Sequence, residues 1–212
     1  MGRQPLICVW DLINMDTKAV LKGVLKVGVS NICLSNDNKK VAAIGMDDDQ
    51  CIVIYDIEKA QSARLNGRKD DSLVASGKGP RSEIFDVKFD KSDKTIIVAC
   101  KCEVNFVTFE NNILKVFKGG WETKTCPLQS VLCIGLLDNS IVTGTFKGSL
   151  ILWRGNRTTN HVEAHKGPIL AIHTRKCEIG VITGGKDGYI CFWDANLKEK
   201  QKKCLADFDI SV

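Results

Sequence analysis

Residues 180–194 read GVITGGKDGYICFWD. Two short runs rich in β-branched and aromatic residues, GVITGG (180–185) and YICFWD (189–194), flank Lys186-Asp187-Gly188. An Asp-Gly pair between two such runs is a hairpin signal, because both turn residues tolerate a positive φ. The ending, an apolar run closed by an aromatic residue, recurs upstream. It appears as ICVWD at Trp10, IVIYD at Tyr55, NFVTFE at Phe109 and LILWR at Trp153, before ICFWD at Trp193. The aromatic-to-aromatic spacings are 45, 54, 44 and 40 residues.

A period of about 40–45 residues with a Trp-Asp ending is the mark of a four-stranded propeller blade of the WD-repeat type. Helical repeats of similar period are excluded, because the runs show little 3.6-residue periodicity. Each interval divides into strands a to d. In the last one these are residues 168–174, 180–185, 189–194 and 203–210. The fold class is therefore all-β: an incomplete WD-repeat β-propeller of about four blades plus half of another. The expected divisions are a partial blade (strands c and d) at 1–25 and a blade at 26–66 whose last strand is QSARL. A mobile insert, rich in Gly and Ser, follows at 67–82. Further blades occupy 83–119, 120–164 and 165–212. A closed ring commonly has more blades, so the reading is a piece of a longer protein.

Composition agrees with an ordinary globular chain: 212 residues, 44% hydrophobic and 26% charged. No apolar run approaches the length of a membrane span, and no signal peptide opens the chain, so no membrane partner is expected. Ten cysteines are scattered through apolar runs, as free thiols in a reduced, cytoplasmic setting would be. The net charge of +5 is uneven, since residues 111–176 hold nine Lys/Arg against three Asp/Glu. The aromatics there sit in strand runs rather than between the basic residues, which disfavours nucleic acid.

Four polar residues of the last interval can pair with one another. His165 precedes strand a, Thr183 lies on strand b, Asp187 in the b–c turn and Trp193 on strand c. A carboxylate can accept an imidazole N–H, the second ring nitrogen can meet the hydroxyl, and the hydroxyl oxygen can accept the indole N–H. This set keeps pace with the blade and not with a nucleophile motif, so it reads as a structural blade network. The other intervals keep only parts of it, and apolar packing is expected to stabilise them. His161, His165 and His173 do not converge as zinc ligands, and no Cys-x-x-Cys completes a site. No cofactor, metal or catalytic residue is expected, and the chain is not read as an enzyme. Strand parity places the b–c and d–a loops on one face. That face would carry the acidic turn Asp47-Asp48-Asp49, the insert, and a candidate partner surface of Lys118, Lys124, Lys147, Lys166 and Lys186.

At this level of detail the chain resembles the echinoderm microtubule-associated-protein-like family. The stretches that carry the resemblance are QSVLCIGLLDNSIVTGTFKGSLILWRGN (129–156), EAHKGPILAI (163–172) and VITGGKDGYICFWD (181–194), with ICVWD, IVIYD and EIFDVKFD earlier. The resemblance covers nearly all of the chain and points to the family's first propeller. It implies a non-catalytic cytoskeletal scaffold in the cytoplasm, binding tubulin or microtubules through a face of loops. The alternative partner is a signalling or ciliary complex.

Overall fold

The computed structural model describes residues 4–124, 126–137, 140–174 and 180–208. Five antiparallel sheets account for the strands. The first pairs β1 (Ile7–Trp10) with β2 (Thr17–Leu21). The second contains β3 (Val29–Leu34), β4 (Lys40–Gly45), β5 (Ile52–Asp56) and β6 (Leu73–Gly77), with a helix α1 (Ile57–Asn66) between β5 and β6. The third contains β7 (Ile84–Phe89), β8 (Thr95–Cys100), β9 (Glu103–Glu110) and β10 (Ile113–Lys118). The fourth contains β11 (Val131–Leu137), β12 (Ser140–Thr145), β13 (Ser149–Arg154) and β14 (Arg157–Glu163). The fifth contains β15 (Ile169–Thr174), β16 (Gly180–Gly185), β17 (Tyr189–Asp194) and β18 (Glu199–Cys204). Within each four-stranded sheet, neighbours in sequence are neighbours in space. The hairpin rhythm of the sequence is thus the topology.

Contacts divide the chain into two compact units. One holds Met1–Arg81, Ser92–Ile96 and Val107–Val116; the other holds Ser82–Lys91, Ile97–Phe106 and Phe117–Val212. In the first unit, Ala19 and Leu21 of β2 pack with Val41, Ala43, Val53 and Tyr55 of the second sheet, and α1 adds Ile57 and Ala60. In the second unit, β13 shows why its run LILW is continuously apolar. Ile151 and Trp153 join a cluster with Ile97, Val104, Phe106 and Val131, whereas Leu150 and Leu152 join one with Ile169, Val181 and Trp193. Alternate side chains of a strand point to opposite faces, and here both faces are covered.

Two expected strands lie elsewhere. QSARL (61–65) is helical, and the fourth strand of its blade is β6, inside the stretch read as a mobile insert. Local chemistry favours the helix. The Asp56 side chain accepts the Lys59 N–H at 3.0 Å as N-cap, and Gly67 closes the C-terminus at a φ of 59°. Strand β6 then pairs with β5, from Ile52↔Gly77 to Ile54↔Ala75, and the register shifts by one residue before Tyr55↔Leu73. In the last blade the fourth strand runs over Glu199–Cys204, earlier than expected, and Leu205–Phe208 forms a 3₁₀ turn. Residues 209 and 210 of that expected strand lie outside the described residues.

Candidate functional site

The fifth sheet brings His165, Thr183, Asp187 and Trp193 together. His165 Nδ1 lies 2.9 Å from Asp187 Oδ1, and His165 Nε2 lies 2.8 Å from Thr183 Oγ1. The Trp193 indole N–H donates to Thr183 Oγ1 at 2.9 Å. A carboxylate only accepts, so in the neutral ring Nδ1 donates to Asp187 and Nε2 accepts the threonine O–H. Asp187 also accepts the N–H of Lys166 at 3.0 Å and of Tyr189 at 3.2 Å. Burial by itself would raise the Asp187 carboxyl. The Lys166 N–H, the His165 ring and the Tyr189 N–H outweigh it and hold the group below the usual carboxylate range. Thr183 is fully buried and His165 nearly so, and each polar group named here has a partner.

The fourth sheet meets the same demand with other residues. Trp153 donates its indole N–H to Thr143 Oγ1 at 2.9 Å. In place of a histidine, buried Gln129 donates from Nε2 to Ser149 Oγ at 2.8 Å and accepts the Lys147 N–H at 3.2 Å. Ser149 Oγ donates in turn to Glu163 Oε1 at 2.9 Å, and Thr145 Oγ1 closes on the Ser149 backbone. The third sheet uses Glu103, which accepts from Ser82 Oγ at 2.8 Å and Asn105 Nδ2 at 3.0 Å and pairs with Lys118 at 2.7 Å. Both of these blades thus carry polar networks beside their apolar packing. No repeat spacing announces them, because their members are not the residue types that the last blade uses.

An aromatic cluster forms that no repeat spacing marks. Trp121 meets Trp153 edge-on at 5.6 Å between centroids, and Phe106 lies 6.1 Å from Trp153 on a tilted plane. Gly119 allows the approach, since a Cβ there would stand 2.8 Å from Trp153. The segment then pairs with the turn before β14: Gly120 N–H donates to Asn156 O at 2.7 Å, and Thr158 N–H to Gly120 O at 3.0 Å.

These contacts sort the five lysines of the expected face, all of which are exposed. Lys118 is held by Glu103. Lys124 follows the segment that bonds through Gly120 to the turn at Asn156, and its N–H donates to Glu122 Oε1 at 3.2 Å. Lys147, Lys166 and Lys186 come from loops joined by hydrogen bonds and make no ion pair among the described residues. In the first unit, Lys78 pairs with Asp49 at 3.0 Å and Gln50 donates to Pro80 O at 2.7 Å, so only the end of the expected insert joins the acidic turn. Helix α1, which precedes it, belongs with the a–b turns, since Ile57 N–H donates to Lys39 O at 2.8 Å.

Burial pushes the Cys100 and Cys133 thiols up to about 12 and Cys191 to about 11, so all three are protonated at neutral pH. Among the described residues no cluster of His, Cys, Asp or Glu could hold a metal ion. His161 pairs with Ile151 across β13 and β14, and His173 with Ile182 across β15 and β16, on different sheets. Among the described residues no helix is long and apolar enough to cross a membrane.

A family model for the echinoderm microtubule-associated protein first β-propeller matches residues 1–209. The chain is similar to echinoderm microtubule-associated protein-like 4 of Mus musculus, 24% identical over 213 residues, covering 92% of this chain and 20% of that protein. It is also similar to the ciliary WD repeat-containing protein ctxp80 of Euplotoides octocarinatus, 30% identical over 195 residues, covering 89% of this chain and 25% of that one. Cilia- and flagella-associated protein 44 of Mus musculus is 22% identical over 205 residues, covering 91% and 10%. The chain thus spans a quarter or less of these relatives. Among solved structures, the β-propeller domain of Cps50 (Swd1) from Myceliophteria thermophila superposes with a TM-score of 0.71 at 12% identity, over 89% of this chain and 58% of that one. That likeness establishes the β-propeller fold.

Proposed function

We propose that this chain, which belongs to the echinoderm microtubule-associated protein family and matches its first β-propeller over residues 1–209, is a non-catalytic scaffold that docks on tubulin or microtubules through one face of loops. The observation that carries this reading is the trio Lys147, Lys166 and Lys186. Three exposed ammonium groups stand on hydrogen-bonded loops without a carboxylate partner among the described residues. Unpaired charge on a rigid surface steers an oppositely charged partner and sets register more than affinity. On this reading the protein works in the cytoplasm, on the cytoskeleton. The similarity to ctxp80, a protein described as ciliary, favours a second partner class, a ciliary or signalling assembly engaged by the same face.

Microtubule co-sedimentation of the purified full-length protein tests the proposal. Lys147→Glu with Lys166→Glu should lower the pelleted fraction, and added salt should lower that of the unaltered protein, as the Debye length shrinks from ~10 Å at 0.1 M to ~3 Å at 1 M. Arg154→Glu with Arg157→Glu, in the turn between β13 and β14, makes the same change of charge at another site. Equal loss in both double variants would assign the effect to net charge. No loss in either would remove electrostatic docking.

A further inference from the structure

We infer that Phe146 is the anchor of this loop face, and that the face accepts an extended acidic segment carrying a large apolar side chain. The inference rests on the docking reading of the same face and adds the chemistry of what is docked. Phe146 opens the turn between β12 and β13 and is 58% exposed, although the loops around it are hydrogen-bonded to one another. Its own N–H donates to Ser130 O at 2.9 Å, and the Lys147 N–H donates to Gln129 Oε1. Gly148 O accepts the N–H groups of Ala164 and His165, at 2.9 and 3.1 Å. Lys166 N–H reaches Asp187, and Lys186 N–H reaches Pro168 O at 2.9 Å. Four connections, around residues 128–130, 146–148, 164–168 and 186–188, are thereby one platform.

The platform is rigid for a local reason as well. Gly148 has a φ of 97°, and a Cβ there would stand 2.0 Å from His165 O, so the turn has no slack. On it sit an exposed phenyl, an exposed Leu128 just before Gln129, and the three lysines without ion partners. An aromatic ring presented on a fixed loop contributes contact area with little loss of side-chain freedom. Cations around an apolar centre complement a partner with carboxylates around an apolar residue. Charge alone would be satisfied by any acidic surface; the exposed ring selects one that brings an apolar side chain to cover it.

The probes are two fluorescein-labelled heptapeptides, each with six glutamates around a central residue, phenylalanine in one and alanine in the other. Binding to the purified full-length protein is read by fluorescence polarisation. The phenylalanine peptide should bind about tenfold or more tighter, the change expected for covering a large apolar side chain. Phe146→Ala should abolish that preference with an unchanged melting temperature, because the side chain is exposed. Lys147→Glu with Lys166→Glu should weaken both peptides alike. Equal binding of the two peptides, no binding of either, or a preference that survives Phe146→Ala overturns the inference. So does adsorption to phosphatidylserine vesicles, or self-association by sedimentation velocity, that Phe146→Ala removes while the peptides are not distinguished. Co-sedimentation separates the two readings. Peptide preference without microtubule binding keeps the anchor and rejects tubulin. Microtubule binding untouched by Phe146→Ala, with no peptide preference, keeps tubulin and rejects the anchor.

Discussion

The fourth and fifth sheets are built to one plan and stabilised by different residues. In both, a tryptophan on the third strand donates to a threonine on the second, at 2.9 Å. Beyond that pair they diverge. The fifth sheet continues through His165 to Asp187, whereas the fourth fills the same end of the blade with Gln129, Ser149 and Glu163. The requirement common to both is that a polar group taken out of water must find a partner. A motif is one solution to that requirement, and its absence from a blade does not mean that the blade lacks a polar core.

The largest expected contrast is at the turn glycines. Gly148 and Gly188 both have positive φ, 97° and 79°. A Cβ at Gly188 meets nothing within 4 Å, while one at Gly148 meets His165 O at 2.0 Å. Gly188→Ala should cost only the conformational penalty, about 1–2 kcal/mol. Gly148→Ala adds a backbone clash and should cost more than about 3 kcal/mol or prevent folding. Urea unfolding of both variants checks this, and equal costs would show that the fourth-sheet turn relaxes freely.

The two tryptophans sharpen the comparison on a smaller scale. Trp193→Phe removes an indole donor from Thr183 and should cost about 1–3 kcal/mol. Trp153→Phe removes the matching donor and also disturbs the stack with Phe106 and Trp121, where each aromatic pair contributes about 0.5–1.5 kcal/mol. Its midpoint shift should therefore be the larger of the two. Loss of the near-ultraviolet dichroism of coupled indoles should accompany it in the fourth sheet alone.

The smallest effect is the acid dependence. Asp187 is held below its ordinary value of 3.8. A depressed carboxylate contributes stability that is present above the unfolded-state value and is lost as pH falls through the folded one. The unaltered protein should therefore lose part of its stability below about pH 4. Asp187→Asn should be less stable at neutral pH and show a flatter decline between pH 5 and 3 in urea midpoints. An unchanged slope would mean that this carboxylate is not linked to folding.

How far the sequence could be read depended on how local the deciding interaction was. GVITGG and YICFWD became β16 and β17 at their expected bounds, because period-2 apolar runs and an Asp-Gly turn are properties of adjacent residues. The helix α1 departs from the repeat frame although its signals are local too. Asp56 and Gly67 are recognisable caps, and Glu, Lys, Ala, Gln and Arg favour helix, but the repeat frame demanded a strand at that place. Strand parity finds the loops that hold Lys147, Lys166 and Lys186, but it cannot see Glu103 claim Lys118.

The sequence by itself determined the number and order of the hairpins, the all-β class and the His165–Thr183–Asp187–Trp193 set, because each follows from the periodic placement of residue types. Only the tertiary structure decided that Gln129 stands where the last blade has a histidine, that Gly119 lets Trp121 reach Trp153, and that four loops close into one platform under Phe146. Those outcomes depend on which groups meet across loops of unequal length. A buried donor takes whichever acceptor the packing brings within 3 Å or so, and no spacing along the chain records that distance.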